Sequence, residues 1–254
     1  MKILDHLNIP YDDQSDDCII TCPSCYKEEK CSVSKEEGNI WQCYTCKQKG
    51  NALTLIRLFY QNLPALTPKQ ARLFTERKQG VHTKVLRDEG IKYDGTYFWF
   101  PVSNQEGKVI ALHKYCPRTN IAYASPKPWS CSVLGLNQLT DASVIWVAEG
   151  HADYLIGRQI LKDAETTVDL LGTCGSGFSG AYLSVLEGKD VVLLFDNDEA
   201  GQKGVQSVAR RLKSSGHSVN SIRYLDWSKV TVPSHSTIPN KFDLRDLYNA
   251  YQGN

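Results

Sequence analysis

Val144-Ile145-Trp146-Val147-Ala148-Glu149-Gly150-His151-Ala152-Asp153 sets the fold of the second half of this chain. Its first five residues are apolar with no polar alternation, which reads as a strand buried on both faces. Ala152 to Leu161 then reads as a helix. The texture repeats downstream. Val168 to Leu171 is a strand followed by Gly172, Gly175 and Gly177. Asp190 to Phe195 is a third strand, Ala200 to Lys213 a helix, Ser221 to Leu225 a fourth strand, and Leu244 to Tyr251 a closing helix. Apolar strands separated by helices imply a mostly parallel sheet covered on both faces, an α/β fold.

Ligands of such sheets bind beyond the carboxyl ends of the strands. Acids stand there in three segments: Glu149 to Asp153, Asp196-Asn197-Asp198-Glu199, and Asp243-Leu244-Arg245-Asp246. Glu149, Asp196 and Asp198 are expected to converge on one rim. Crowded carboxylates repel one another unless cations bind, and hard divalent ions such as magnesium suit oxygen ligands. Each acid also has an ordinary alternative as a helix-starting residue. Glu199 reads that way, and Asp243 and Asp246 could simply begin the last helix.

Outward from this half, Tyr97 to Val102 and Val109 to Tyr115 read as a hairpin around Asn104-Gln105-Glu106-Gly107. Helices are expected over Ala52 to Gln61, Lys69 to Gln79 and His82 to Glu89. The two prolines of Leu63-Pro64-Ala65-Leu66-Thr67-Pro68 mark a linker. Ahead of it lie Cys22-Pro23-Ser24-Cys25 and Cys43-Tyr44-Thr45-Cys46, separated by seventeen residues. Two C-x-x-C pairs at this spacing read as a zinc ribbon. Four thiolates close the tetrahedron and leave no open position, so this single zinc is structural. Short strands are expected over Lys30 to Ser34 and Asn39 to Gln42, with a turn at Glu37-Gly38. A redox pair, or four plain thiols, is the alternative.

The chain has 254 residues, a formal charge of +1, and 41% hydrophobic and 22% charged residues. That near-neutral balance leaves any nucleic-acid binding to local patches. No segment reaches the roughly 18 apolar residues of a membrane span. The acidic start, with Asp5, Asp12, Asp13, Asp16 and Asp17, does not read as a signal or transit peptide. The expected setting is cytoplasmic, where the remaining cysteines, Cys18, Cys31, Cys116, Cys131 and Cys174, stay free thiols.

Glu149-Gly150-x-x-Asp153, Asp196-x-Asp198-x-x-Gly201 and Asp243-x-x-Asp246 together resemble the TOPRIM fold of DnaG-type primases, type IA and II topoisomerases and some nucleases. With the ribbon in front, the chain resembles the DnaG and bacteriophage primase-helicase families over roughly residues 15 to 250. Glu76 to Val81, and Phe98 to Val102 with the turn at Gly107, are similar to primase segments. DnaG ribbons often include a histidine ligand, so four cysteines lie nearer the phage type. No P-loop is present, so the expectation is a stand-alone primase of a phage or other mobile element, in a bacterial or phage-infected cell, or a fragment.

The resemblance implies a ribbon-type template-binding domain over 1–62, a linker over 63–70, an N-terminal subdomain of the RNA polymerase domain over 71–140, and a TOPRIM catalytic subdomain over 141–254. It implies DNA primase activity: short RNA made on single-stranded DNA from ribonucleoside triphosphates by two-metal nucleotidyl transfer. Glu149, Asp153, Asp196, Asp198, Asp243 and Asp246 would be catalytic. Glu149, Asp196 and Asp198 would hold magnesium or manganese. Lys114, Arg118 and Lys127 are taken as nucleotide or template contacts, and Arg72, Arg77 and Lys78 as phosphate-tracking cations. Trp41, Tyr44, Asn39 and Gln42 are the ribbon's candidate base readers, although packing the ribbon's small core is the favoured reading of Trp41. A separate replicative helicase is the expected partner, with no membrane. The alternatives are a TOPRIM nuclease and a non-catalytic zinc-ribbon DNA-binding protein. Cys43→Ser is expected to unfold the ribbon and leave the distant catalytic fold intact.

Overall fold

A computed structural model describes residues 2–36, 38–128, 130, 132–175, 177–232 and 237–253. Glu37 of the expected turn and Cys131 lie outside the described residues.

The parallel sheet forms as its sequence dictates. The chain begins with α1 (Lys2–Leu7) and a five-stranded antiparallel sheet in simple order: β1 (Asp12–Asp13), β2 (Asp17–Ile20), β3 (Cys31–Ser34), β4 (Trp41–Cys43) and β5 (Lys49–Gly50). Helix α2 (Ala52–Asn62) follows, opened by a reciprocal capping box between Asn51 and Thr54. Then come α3 (Pro68–Arg77), α4 (Thr83–Asp88) and a second antiparallel sheet of β6 (Lys92–Tyr93), β7 (Phe98–Ser103), β8 (Val109–Cys116) and β9 (Ile121–Tyr123). The linker prolines sit between the extended end of α2 and the Thr67 cap of α3, where Pro68 occupies the first turn and its missing donor is harmless.

The remainder is β10 (Val144–Ala148), α5 (Gly150–Asp163), β11 (Asp169–Gly172), β12 (Asp190–Leu194), α6 (Glu199–Ser214), β13 (Ser221–Tyr224) and α7 (Leu244–Gln252). The four strands are all parallel, in the order β11-β10-β12-β13. Successive side chains of β10 serve opposite faces. Ile145 and Val147 join Val191, Leu193, Val208 and Leu212 on the α6 side, while Ala148 joins Tyr154, Leu155 and Ile156 of α5. That second cluster continues without a break into Phe74, Phe98, Phe100 and Tyr115, so the antiparallel subdomain and the parallel sheet share one core.

The ribbon does not stand apart. Its core of Cys18, Ile20, Cys31, Val33, Trp41, Leu55 and Ile56 also includes Trp99 of β7 and Leu112 of β8. Arg57 donates to the Val109 carbonyl at 2.8 Å, and Asn62 donates to the Pro23 carbonyl at 2.7 Å. The ribbon is therefore in direct contact with the antiparallel subdomain rather than distant from it. Among the described residues, no helix is long and apolar enough to cross a membrane.

Candidate metal centres and cleft

The four ribbon cysteines converge as a zinc-like site. Cys22 Sγ and Cys46 Sγ are 3.8 Å apart, and Cys25 Sγ and Cys43 Sγ are 3.7 Å apart. Tetrahedral zinc with Zn–S near 2.3 Å places its sulfurs about 3.8 Å apart, so the set fits the ion without rearrangement. Each pair makes the same knuckle. Ser24 and Cys25 N–H groups point at Cys22 Sγ, and Thr45 and Cys46 N–H groups point at Cys43 Sγ, at 3.4–3.5 Å. The residue after each pair, Tyr26 and Lys47, takes a left-handed backbone that bends the chain away.

The acids gather where the parallel sheet changes winding direction. The chain leaves β10 for β11 on one side, then returns to β12 on the other, which opens a crevice between the carboxyl ends of β10 and β12. Glu149 directly follows β10, and Asp196 stands two residues after β12. The Asp196 N–H donates to Glu149 Oε2 at 3.3 Å across this crevice. Gly150, at φ +86°, swings the chain from strand into helix and carries Asp153 inward on the first turn of α5. Asp153 is buried and accepts the Arg245 N–H at 3.1 Å. Asp198 caps α6, accepting the Gly201 N–H at 2.8 Å. Asp243 and Asp246 cap α7 reciprocally, and Arg245 Nη2 reaches both, at 3.1 and 3.2 Å.

The electrostatics show how close these groups are. Burial, then Glu149, Asp243 and Asp198, push the Asp196 carboxyl up to about 8. Burial, with Asp243 and Asp196, holds the Asp153 carboxyl far above its usual range, and burial raises Glu149 and Asp243 too. Such a group resists full ionisation until a cation arrives. Arg245 and Lys78 supply part of that charge. Lys78, at the end of α3, lines the same cleft of about 270 Å³ with Phe74, Tyr115, Asn120, Glu149, Asp153, Asp196 and Asp243. Burial, then Arg245, pulls its ammonium below the usual range.

Glu149, Asp153, Asp196 and Asp243 are thus brought to one cleft, with Asp198 and Asp246 at its edge as caps. Glu199 begins α6, exposed, and pairs with Lys203. Lys114 is drawn elsewhere. It is buried, and its Nζ donates to the His6 carbonyl at 2.6 Å and Asn8 Oδ1 at 3.0 Å while lying over the Tyr97 ring. Arg118 is exposed and shares a groove of about 290 Å³ with Arg77, Tyr93 and Cys116. Lys127 is exposed. Trp41 is 1% exposed and donates to the Asn51 carbonyl and Thr54 Oγ1, so it fills the ribbon core and offers no face for stacking. Asn39 holds its own turn, donating to the Ser34 and Glu36 carbonyls. Gln42 and Tyr44 are exposed, as is Tyr26. Sequence reading missed Arg245 as the cation of the cleft, although its place between two acids was the signal.

Residues 146–230 match the Toprim-like family. The primase fragment of the bacteriophage T7 primase-helicase protein is similar over 92% of this chain and 94% of that one, with 18% identity and a TM-score of 0.52. The chain has the fold of the DnaG and T7 primases. The Aquifex aeolicus primase, with its zinc-binding and RNA polymerase domains, is similar over 100% of this chain and 80% of that one, at 16% identity and TM-score 0.52. The DnaG primase catalytic domain bound to single-stranded DNA aligns over 79% of this chain and 76% of that one, at 14% identity and TM-score 0.57. No curated protein matches the sequence. The likeness is one of fold: a four-stranded parallel Toprim sheet, antiparallel sheets before it, and a four-cysteine cluster near the N-terminus.

Proposed function

We propose that this chain is a DNA primase, a DNA-directed RNA polymerase that makes short primers on single-stranded DNA. The observation that carries the reading is the pairing of Glu149 and Asp196 across the Toprim switch point in a chain that also has a four-cysteine ribbon. The other Toprim enzymes named above share the acids, while the ribbon packed against the same subdomain favours primase.

In this reading Glu149, Asp196 and Asp198 hold magnesium or manganese, with Asp153, Asp243 and Asp246 supporting them. The donor set fits: hard oxygens only, with Asp196 raised to about 8 by burial and neighbouring acids, a charge problem that a divalent cation resolves. When bound, the ion supplies charge neutralisation for the entering and leaving oxygens of nucleotidyl transfer. Glu149, its carboxyl raised by burial, is suited to accept the proton of the attacking 3′-hydroxyl. Arg245 holds Asp243 at the cleft and Asp246 beside it, and Lys78 places an ammonium where triphosphate charge would enter. Arg77 and Arg118 line a groove of a size and charge that suit a template backbone. Lys127 remains an exposed cation available to nucleotide, whereas the enclosed Lys114 acts by anchoring α1. Tyr26 and Tyr44, exposed beside the zinc knuckles, are the ribbon's stacking surfaces.

The substrates in this reading are ribonucleoside triphosphates and a single-stranded DNA template, with a separate replicative helicase as partner. Incubation with single-stranded DNA of varied sequence, labelled ribonucleotides and magnesium tests it. Short RNA products that vanish in Asp196→Ala support the reading, and DNA cleavage without RNA synthesis refutes it.

A further inference from the structure

His113 on β8, His151 in the first turn of α5 and Cys174 just past β11 come from three separate elements, and one donor atom of each lies within 4.8 Å of the other two. Among the described residues, only the four ribbon cysteines close as tightly in a set of three or more such donors. Both rings are enclosed, with His113 0% and His151 6% exposed. His113 Nδ1 and His151 Nε2 stand 3.1 Å apart. Two nitrogens on one tetrahedral zinc, each at about 2.05 Å, stand about 3.3 Å apart, so the observed spacing needs only a small adjustment.

We propose that His113, His151 and Cys174 form a second zinc site, separate from the ribbon. Two imidazoles and one thiolate are borderline-soft donors that select zinc over the magnesium suited to the neighbouring acids. Three protein ligands leave the fourth position to water. The site joins β8 of the antiparallel subdomain to the ends of two segments of the parallel sheet. His151 lines the same cleft as Glu149 and Asp153, and Gly175, next to Cys174, lines it too. Zinc there ties β8 to α5 and to the segment after β11 at the wall of the same cleft, whatever reaction the acids perform.

The test uses the full chain, expressed in zinc-depleted medium with cobalt and dialysed against excess magnesium to clear the acids. The wild type is expected to retain two cobalt ions per chain by mass spectrometry. Cys174→Ser removes one thiolate of five, so its thiolate-to-cobalt absorption should fall by about a fifth and its metal content to one ion. His113→Leu should also hold one ion, with the ribbon's absorption intact. One ion per chain in the wild type overturns the proposal even if neither variant folds. So does an absorption spectrum that Cys174→Ser leaves unchanged.

Discussion

Replacing Gly201 by alanine tests the geometry that places Asp196. In an ordinary helix interior this change stabilises by roughly 1 kcal/mol, because glycine is the poorer helix former. Here the sign should reverse. A Cβ on Gly201 would lie 2.3 Å from the Asp196 carbonyl oxygen and 3.0 Å from its nitrogen, both backbone atoms that cannot rotate aside. Reaching even 3.0 Å requires α6 or the Asp196 turn to retreat by about 0.7 Å. Overpacking of this kind costs about 1–3 kcal/mol, which leaves a net loss of up to about 2 kcal/mol after the propensity gain. For a chain of this size that lowers Tm by up to roughly 8 °C. The same retreat moves the Asp196 carboxylate relative to Glu149, and misplacement near 1 Å lowers a rate by about 100-fold. Thermal melts and primer synthesis read the two effects on one sample. A Gly201→Ala protein that melts higher than the wild type and keeps full synthesis would refute the close approach and the role given to the turn.

The other predictions concern charge, zinc and the ribbon. Asp196, Glu149, Asp153 and Asp243 bind protons more tightly folded than unfolded, so without magnesium stability should fall as pH rises from about 4 towards about 8. Added magnesium should therefore raise Tm more at pH 8 than at pH 6, and equal shifts would contradict the acid cluster. Cys43→Ser should release the ribbon zinc and also strip protection from amides of β7 and β8, through Trp99 and Leu112. Hydrogen exchange confined to residues 12–62 would count against the shared core. Trp41→Ala should destabilise by about 3–5 kcal/mol through an unfilled core, read by urea melts. Tyr26→Ala and Tyr44→Ala should leave melting unchanged and weaken single-stranded DNA binding by about 1–3 kcal/mol for each stacked base.

The parallel half was legible because its strands are buried on both faces. Val144–Ala148 forms over the residues expected, β12 and β13 each stop one residue short of the expected end, and β11 is shifted by one residue at both ends. The cysteine site was legible because two pairs at that spacing have one simple use. Much of the ribbon sheet was not. Asp12–Asp13 and Asp17–Ile20 form strands despite their acids because β1 pairs with β2 and β2 with β3, a tertiary effect without local signature. The burial of Lys114 was hidden for a related reason. Its ammonium is satisfied by His6 and Asn8, which belong to a short N-terminal segment with no helical pattern strong enough to expect. Trp41 could be read either as a stacking platform or as core, and only the positions of Asn51 and Thr54 decide for core. The hidden convergence of His113, His151 and Cys174 depends on strand order, which pairs distant segments that the sequence leaves far apart.

The central claim is that the acids at the switch point build RNA directed by a template. The direct measurement is the base composition of RNA made without a primer on single-stranded templates that differ only in sequence, by the wild type and by Asp196→Ala. Products should be complementary to each template in the wild type and absent in Asp196→Ala, whose zinc content stays unchanged. RNA unrelated to template, synthesis that survives Asp196→Ala, or cleaved DNA with no RNA would contradict the account.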